Sequence, residues 1–152
     1  MTDPLIFDSI SPRLGLPFLF AGQAQKEMFV NEAHALIDAL LHGVIEGEAN
    51  TPPADPIDGE CWLVGGAPTG AWADEAGQIA CRQQGNWLYV SPRDGMRLLD
   101  RDSGQERRYR SGWLAPEAPV APSGGATVDA EARTAIVALI ECLREAGIFP
   151  ES

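Results

Sequence analysis

Only two histidines occur in the chain, His34 and His42, with Asp38 midway between them at four-residue steps and Asn31 three residues before His34. On a helix these residues line one stripe, because side chains three and four apart share a face. Two imidazoles and a carboxylate so arranged could hold a metal, most easily on a symmetry axis where several chains contribute ligands. The same stripe serves as a polar face opposite an apolar one, or as a hydrogen-bonded subunit contact. We adopt that second reading and expect neither a metal nor a cofactor. A nucleophilic triad needs a Ser or Cys activated by a positioned His. Both imidazoles fall in one helical segment and no serine sits in a Gly-x-Ser-x-Gly elbow, so such hydrolase chemistry is not expected.

Paired carboxylates run glycoside hydrolysis, and Asp58, Glu60, Asp74, Glu75, Asp94, Asp100 and Asp102 supply candidates. Asp58 and Asp94, however, precede glycine in Pro-x-Asp-Gly, a tetrapeptide that describes a β-turn by itself. The aromatic residues Trp62, Trp72, Trp87, Tyr89, Tyr109 and Trp113 are dense along one stretch. Flat rings can stack on pyranose faces, which makes Trp72, Trp87, Tyr89 and Trp113 candidates for a sugar platform; the competing use is as the core of a small β domain. Cys61, Cys81 and Cys142 stand too far apart for a Cys-x-x-Cys metal site or a paired framework, and read as small reduced hydrophobes. No Walker-type loop, dinucleotide fingerprint or EF-hand loop occurs. No catalytic residue is expected, and no enzyme.

The elements that position these residues follow from periodicity and punctuation, and the class they make is α+β. Residues 1–21 hold Pro4, Pro12 and Pro17 among Leu5, Ile6, Phe7, Leu16, Phe18, Leu19 and Phe20, a mixture that favours extended backbone over helix. This is an N-terminal arm whose apolar side chains, Leu16, Phe18 and Phe20 among them, must dock on the body or on another subunit. Residues 22–55 form a long amphipathic helix and a turn-rich exit. From Gln23 to about His42 no Pro or Gly intervenes, and Phe29, Ala33, Leu36, Ile37, Leu40, Leu41 and Val44 recur along one face.

Residues 56–114 read as a small antiparallel meander, with strands at Cys61–Val64, Gln78–Arg82, Trp87–Val90, Met96–Leu99 and Arg107–Arg110. An internal echo runs through it. Pro56-Ile57-Asp58-Gly59 with Leu63 returns as Pro92-Arg93-Asp94-Gly95 with Leu99. Each copy continues to a Gly-Gln pair, Gly77-Gln78 and Gly104-Gln105, and then to a Gly-flanked tryptophan, Trp87 and Trp113. Two related β units stand in tandem, fewer than a free-standing array needs, so dependence on neighbours is expected. Residues 115–126 have the Pro-Ala-Gly composition of an extended linker. Residues 127–152 hold a C-terminal helix, capped by Thr127 or Asp129, with Glu131 in its first turn, Arg144 in its last and Gly147 as its stop. Ala132, Ile136, Leu139, Leu143 and Ala146 step by four and three, a seam for self-association in a short bundle.

The 152 residues carry a formal net charge of -11, which repels phosphate backbones and argues against nucleic acid as a partner. The longest apolar run, Leu14–Ala21, is too short to span a bilayer, so no membrane insertion is expected. An acid stands near the start where a secretory signal needs Lys or Arg, and cytoplasmic synthesis follows as an expectation.

A family resemblance carries the reading further. Leu16-Pro17 through Gln23-Ala24-Gln25-Lys26, Asn31-Glu32-Ala33, Leu36 to Leu40, Pro52-Pro53 through Asp58-Gly59, Gly70-Ala71-Trp72, Gly85-Asn86-Trp87, Pro92 to Gly95 and Gly112-Trp113 occur in an order that resembles a domain family of undefined function. That family is found in tailed phages, prophages and gene transfer agents of alphaproteobacteria. The match runs over about residues 14–114. The C-terminal stretch from Asp129 to Ile148 separately resembles a short terminal helix of phage virion proteins. The resemblance implies a structural virion component, a fibre, spike or adaptor, located in the virion and bound to other virion proteins; a homotrimer is the assembly we expect. It assigns no catalytic residue, and it makes the Gln-Ala-Gln-Lys, Asn31 and Asp38 positions look architectural. The alternative is a carbohydrate-binding module that meets a host surface glycan.

Overall fold

The computed structural model describes residues 9–22, 26–125 and 128–150. The arm residues Leu5, Ile6 and Phe7, the Gln23–Gln25 start of the first helix and the cap candidate Thr127 lie outside the described residues. The chain divides into two compact units, Met1–Ser91 and Pro92–Ser152, with the boundary inside the span read as one β body. Each unit carries an α-helix and β-strands, so the mixed α+β class stands.

In the first unit, residues 9–22 run as turns and extended chain with one isolated bridge between Ile10 and Pro17. The helix α1 covers Lys26–Leu40 and is followed by short strands β1 (Val44–Ile45) and β2 (Glu48–Ala49). Fifteen residues make α1 about 22 Å long. Then come β3 (Cys61–Val64), a 3₁₀ turn at Gly70–Trp72, β4 (Ile79–Gln83) and β5 (Asn86–Val90). The sheet order is β2-β3-β4-β5. Its first pair is parallel, Glu48 against Leu63, whereas β3-β4 and β4-β5 are antiparallel. A purely antiparallel meander was expected; β2 departs from it because its segment, read as a turn-rich exit, reaches back along β3, where Leu63 N–H donates to Gly47 and Gly65 N–H to Ala49.

One face of this sheet builds a core from Val64, Trp72 and Ala80, with Ala49, Trp62, Trp87 and Tyr89 packed against it. Trp72 is fully buried and meets Trp87 edge-on at 5.2 Å between centroids. The loop from Gly65 to Gln78 delivers that ring, and Tyr89 pins the loop by donating to the Ala71 carbonyl at 2.5 Å.

The second unit holds strands β6 (Arg97–Asp100), β7 (Gln105–Tyr109) and β8 (Trp113–Leu114), paired antiparallel, and helix α2 (Ala130–Glu145). Asp129 caps α2 by accepting from Ala132 N–H, with Glu131 in the first turn and Arg144 in the last. Gly147 at φ 68° ends it, its N–H donating to Arg144 and that of Ile148 to Leu143, the two bonds of a Schellman motif. The helix does not float beyond a linker, as the composition of residues 115–126 suggested. Glu106 N–H donates to Gly147 O at 2.6 Å, and Gln105 Nε2 donates to Ile148 O and Pro116 O at 2.7 and 2.6 Å. Gln105 is itself buried, so these bonds pin both ends of the intervening segment to β7.

The internal echo is a repeated geometry. Gly59 N–H donates to Arg82 O and Arg82 N–H to Glu60 O; Gly95 N–H donates to Tyr109 O and Tyr109 N–H to Met96 O. Gly59 and Gly95 sit at φ 95° and 94°, the left-handed residue of the same G1-type bulge. Asp58 then accepts from Gln84 and Gly85 N–H, and Asp94 from Ser111 N–H, so each Pro-x-Asp-Gly aspartate holds the far hairpin turn of its own unit. Gln84 and Ser111 both adopt positive φ, 48° and 54°, as that turn demands. Among the described residues no helix is long and apolar enough to cross a membrane.

Candidate functional site

The stripe of Asn31, His34 and Asp38 faces protein, whereas the apolar stripe of α1 faces outward. Asp38 is 3% exposed while Phe29 is 77% exposed, the reverse of what amphipathicity alone leads one to expect. The cause lies in residues 9–22, whose backbone N–H groups need acceptors. Asp38 Oδ1 accepts from Ser11 Oγ at 2.7 Å and from Leu14 N–H at 2.5 Å, and its Oδ2 accepts from Arg13 N–H at 3.0 Å. Asn31 clamps Leu19 from both sides, accepting from its N–H at 2.8 Å and donating to its carbonyl at 3.1 Å. His34 Nδ1–H donates to Pro17 O at 3.0 Å. Arg13 completes the staple by donating to Ala39 O and His42 O at 2.8 and 3.0 Å, so a cation satisfies orphan carbonyls at the helix C-terminus.

This use excludes the metal geometry considered for His34, Asp38 and His42. Asp38 is consumed by three donors, and His42 lies past the end of α1 at Leu40. Among the described residues no group of three or more His, Cys, Asp or Glu could hold a metal ion.

Of the four proposed sugar-stacking residues, Trp72, Trp87 and Tyr89 share one packed cluster in the first unit and Trp113 belongs to the second. Trp72 is fully buried, so that assignment is corrected: the ring fills the core beneath its own sheet. Trp87 carries the Arg82 guanidinium over its ring at 5.2 Å and takes Trp72 on another side, and Tyr89 packs on the same cluster. Trp113, in the other unit, meets Tyr109 edge-on at 5.2 Å. Burial pushes the Tyr89 phenol above its ordinary value, with Glu75 adding to the effect.

Of the three arm-docking residues, Phe18 is buried at 3%, Leu16 is half-buried and Phe20 stays half exposed. On α2 the proposed seam is open to solvent for most of its length. Ala132, Ile136, Leu139 and Ala146 are exposed and Leu143 is half-buried, while Ile140 is the residue turned inward.

Two pairs escaped the sequence. Cys61 and Cys81 stand directly opposite across β3-β4, both buried, and Arg97 and Arg108 stand directly opposite across β6-β7. The bulge bonds make both of them non-hydrogen-bonded pairs, the closer of the two antiparallel spacings. Superposing the two Pro-x-Asp-Gly copies strand by strand brings the four residues into register, and that signal lay in the sequence. Hydrogen bonding to Cys61, with burial, holds the Cys81 thiol far above its ordinary value, whereas the same bond, opposed by burial, lowers that of Cys61.

What the described residues offer is therefore surface. Met28, Phe29, Ile37 and Leu41 stand out from α1, and Ile136, Val137 and Leu139 from α2. Residues 30–114 match the family described as Protein of unknown function (DUF2793). No curated protein matches the chain.

Proposed function

The chain belongs to this family of unknown function, and from that premise we propose that it is a non-enzymatic structural component of a phage or gene transfer agent particle. It is a fibre, spike or adaptor part that assembles with copies of itself and with other virion proteins. The observation that carries this reading is the apolar face of α2. A helix whose C-terminal end is pinned by Gln105 and Glu106 holds Ile136, Val137 and Leu139 out to solvent. Apolar side chains repeated at coiled-coil spacing on a fixed helix favour burial against their own copies.

The order of motifs over residues 14–114, which resembles a family of phages and gene transfer agents, gives the setting. The Asp38 staple supports it too, since it spends the polar stripe of α1 on architecture. In this reading three α2 helices bundle through Ala132, Ile136, Leu139, Leu143 and Ala146. The units then stand around that bundle as a short stalk or base.

Light scattering after size exclusion tests it. The expected mass is three times the 16.3 kDa of one chain. Leu139→Asp, at an exposed position that leaves folding intact, is expected to dissociate the trimer. A monomer at a concentration of about 100 µM, or a mass indifferent to Leu139→Asp, overturns the bundle.

A further inference from the structure

The outward face of the second sheet is the counterpart of a face that the first unit keeps covered. In the first unit Cys61, Cys81 and Leu88 lie beneath Pro12, Arg13, Ala35, Asp38 and Ala39, leaving a residual space of only about 10 Å³. A Cβ added to Gly59 would meet Pro12 and Arg13 at 3.2 Å. The equivalent positions in the second unit are Arg97, Arg108 and Leu114, and they line an open cleft of about 480 Å³ with Glu106, Ala115, Pro116 and Ile148. Gly95, the counterpart of Gly59, faces nothing within 4 Å. Leu63 is 2% exposed, and its counterpart Leu99 is 44% exposed. The first sheet carries a helix on this face, and the second presents an open cleft there.

The charges at this bare face are unbalanced. Arg97 pairs with Glu106 at 3.0 Å, but Arg108, directly opposite Arg97, has no ion-pair partner among the described residues. Like charges set opposite on neighbouring strands are destabilising unless something neutralises them. Residues 92–114 hold six arginines against four acids, whereas residues 1–91 hold three bases against twelve acids.

The chain also owns an unpartnered helix face of matching character. The outer stripe of α1 presents Phe29, Ala33, Leu36, Ile37 and Leu40. Leu36, Ile37, Leu40 and Leu41 frame a shallow apolar depression, and exposed Glu32 flanks the stripe. Lys26 at the helix start is its one lysine or arginine and is opposite in sign to Glu106.

We propose that the outer face of α1 in one copy docks on the Arg97/Arg108 face of the second unit in another copy. Glu32 then meets Arg108, and the aliphatic side chains of α1 cover Leu99, Leu114 and Ile148. The helix lies between two sheets related by the internal repeat, its small polar face on its own sheet and its large apolar face on the neighbour's. Because the two surfaces differ, the contact is head-to-tail. It closes into a ring or runs on as a filament. It adds a contact to the assembly proposed above and does not depend on the α2 seam.

Glu32→Arg and Arg108→Glu, both at exposed positions, test it by sedimentation velocity, with circular dichroism to verify the fold. Each variant alone is expected to associate about tenfold or more weakly than the wild type, because like charges now face one another. An equimolar mixture is expected to recover association with the two variants in alternation. Both contacts between unlike chains then pair opposite charges, the introduced arginine with the introduced glutamate and native Glu32 with native Arg108, while contacts between like chains stay repulsive. Two variants indistinguishable from wild type, or a mixture that recovers nothing, overturns the contact. Leu139→Asp keeps the two readings apart: it dissolves the α2 bundle and leaves the head-to-tail contact responsive to Glu32 and Arg108.

Discussion

Replacing Asp38 by alanine removes the one acceptor shared by Ser11 Oγ, Arg13 N–H and Leu14 N–H. Ser11 is 1% exposed, so its hydroxyl loses a charged partner without gaining water, at a cost of about 2 kcal/mol. The two N–H groups are only part-buried and recover part of their bonding from solvent, which leaves about 1 kcal/mol each. Against this, Asp38 lies in the last turn of α1, where an anion opposes the helix dipole, and its removal returns about 0.5 kcal/mol. The expected net loss is about 3–4 kcal/mol, a large share of the ~5–15 kcal/mol by which domains are stable. Asp38→Asn keeps Oδ1 for Ser11 and Leu14 but turns an amide toward Arg13 N–H, for a loss of about 1–2 kcal/mol. Urea unfolding followed by tryptophan fluorescence measures both, and amide exchange at Arg13 and Leu14 localises the effect. An Asp38→Ala chain within about 0.5 kcal/mol of wild type, with both amides still protected, would refute the staple.

Three further outcomes are expected. Arg107→Ala strands the fully buried Asp100 carboxylate, which now accepts from Arg107 Nε at 2.7 Å, and should lower the stability of the second unit by about 3–5 kcal/mol in urea titration. Gln84→Gly and Ser111→Gly, at positions held at φ 48° and 54°, should each raise the melting temperature through about 0.5–1 kcal/mol, because glycine adopts that conformation without a Cβ clash. The phenol of Tyr89 is raised above its ordinary value by burial and then by Glu75, so the fold favours its neutral form. That stability is complete below the unfolded phenol's pKa of about 10 and is lost as pH rises through the folded value; an alkaline unfolding profile unchanged by Tyr89→Phe would refute the assignment.

Much of the local structure was legible because it is written in short-range chemistry. The strands expected at Cys61–Val64, Trp87–Val90 and Met96–Leu99 fall within a residue of those observed. The Asp129 cap, Glu131, Arg144 and the Gly147 stop of α2 all follow from the needs of orphan N–H and C=O groups. The candidate sites were less legible. In sequence Trp72 fits both a sugar platform and a core; a long loop folds it under its own sheet, and alternation along a strand says nothing about a loop residue.

By itself the sequence determined that a helix with one apolar and one polar face lies between Gln23 and about His42, that two Pro-x-Asp-Gly units repeat, and that residues 127–152 hold a capped helix; the structure sets their bounds at Lys26–Leu40 and Ala130–Glu145. Only the tertiary structure decided which face each helix buries. Periodicity reports the contrast between faces, whereas burial depends on what else must be satisfied nearby. On α1 the unpaired N–H groups of Arg13 and Leu14 and the Ser11 hydroxyl drew the Asp38 side inward and left Phe29 and Ile37 outside. The buried Ser11 hydroxyl and the two part-buried N–H groups together lose about 3–4 kcal/mol without their acceptor, more than the ~1.5–3 kcal/mol that burying one apolar side chain returns. For the same reason the two copies of one β unit came to differ: one has a helix laid across it, and its twin presents Arg97 and Arg108 to solvent.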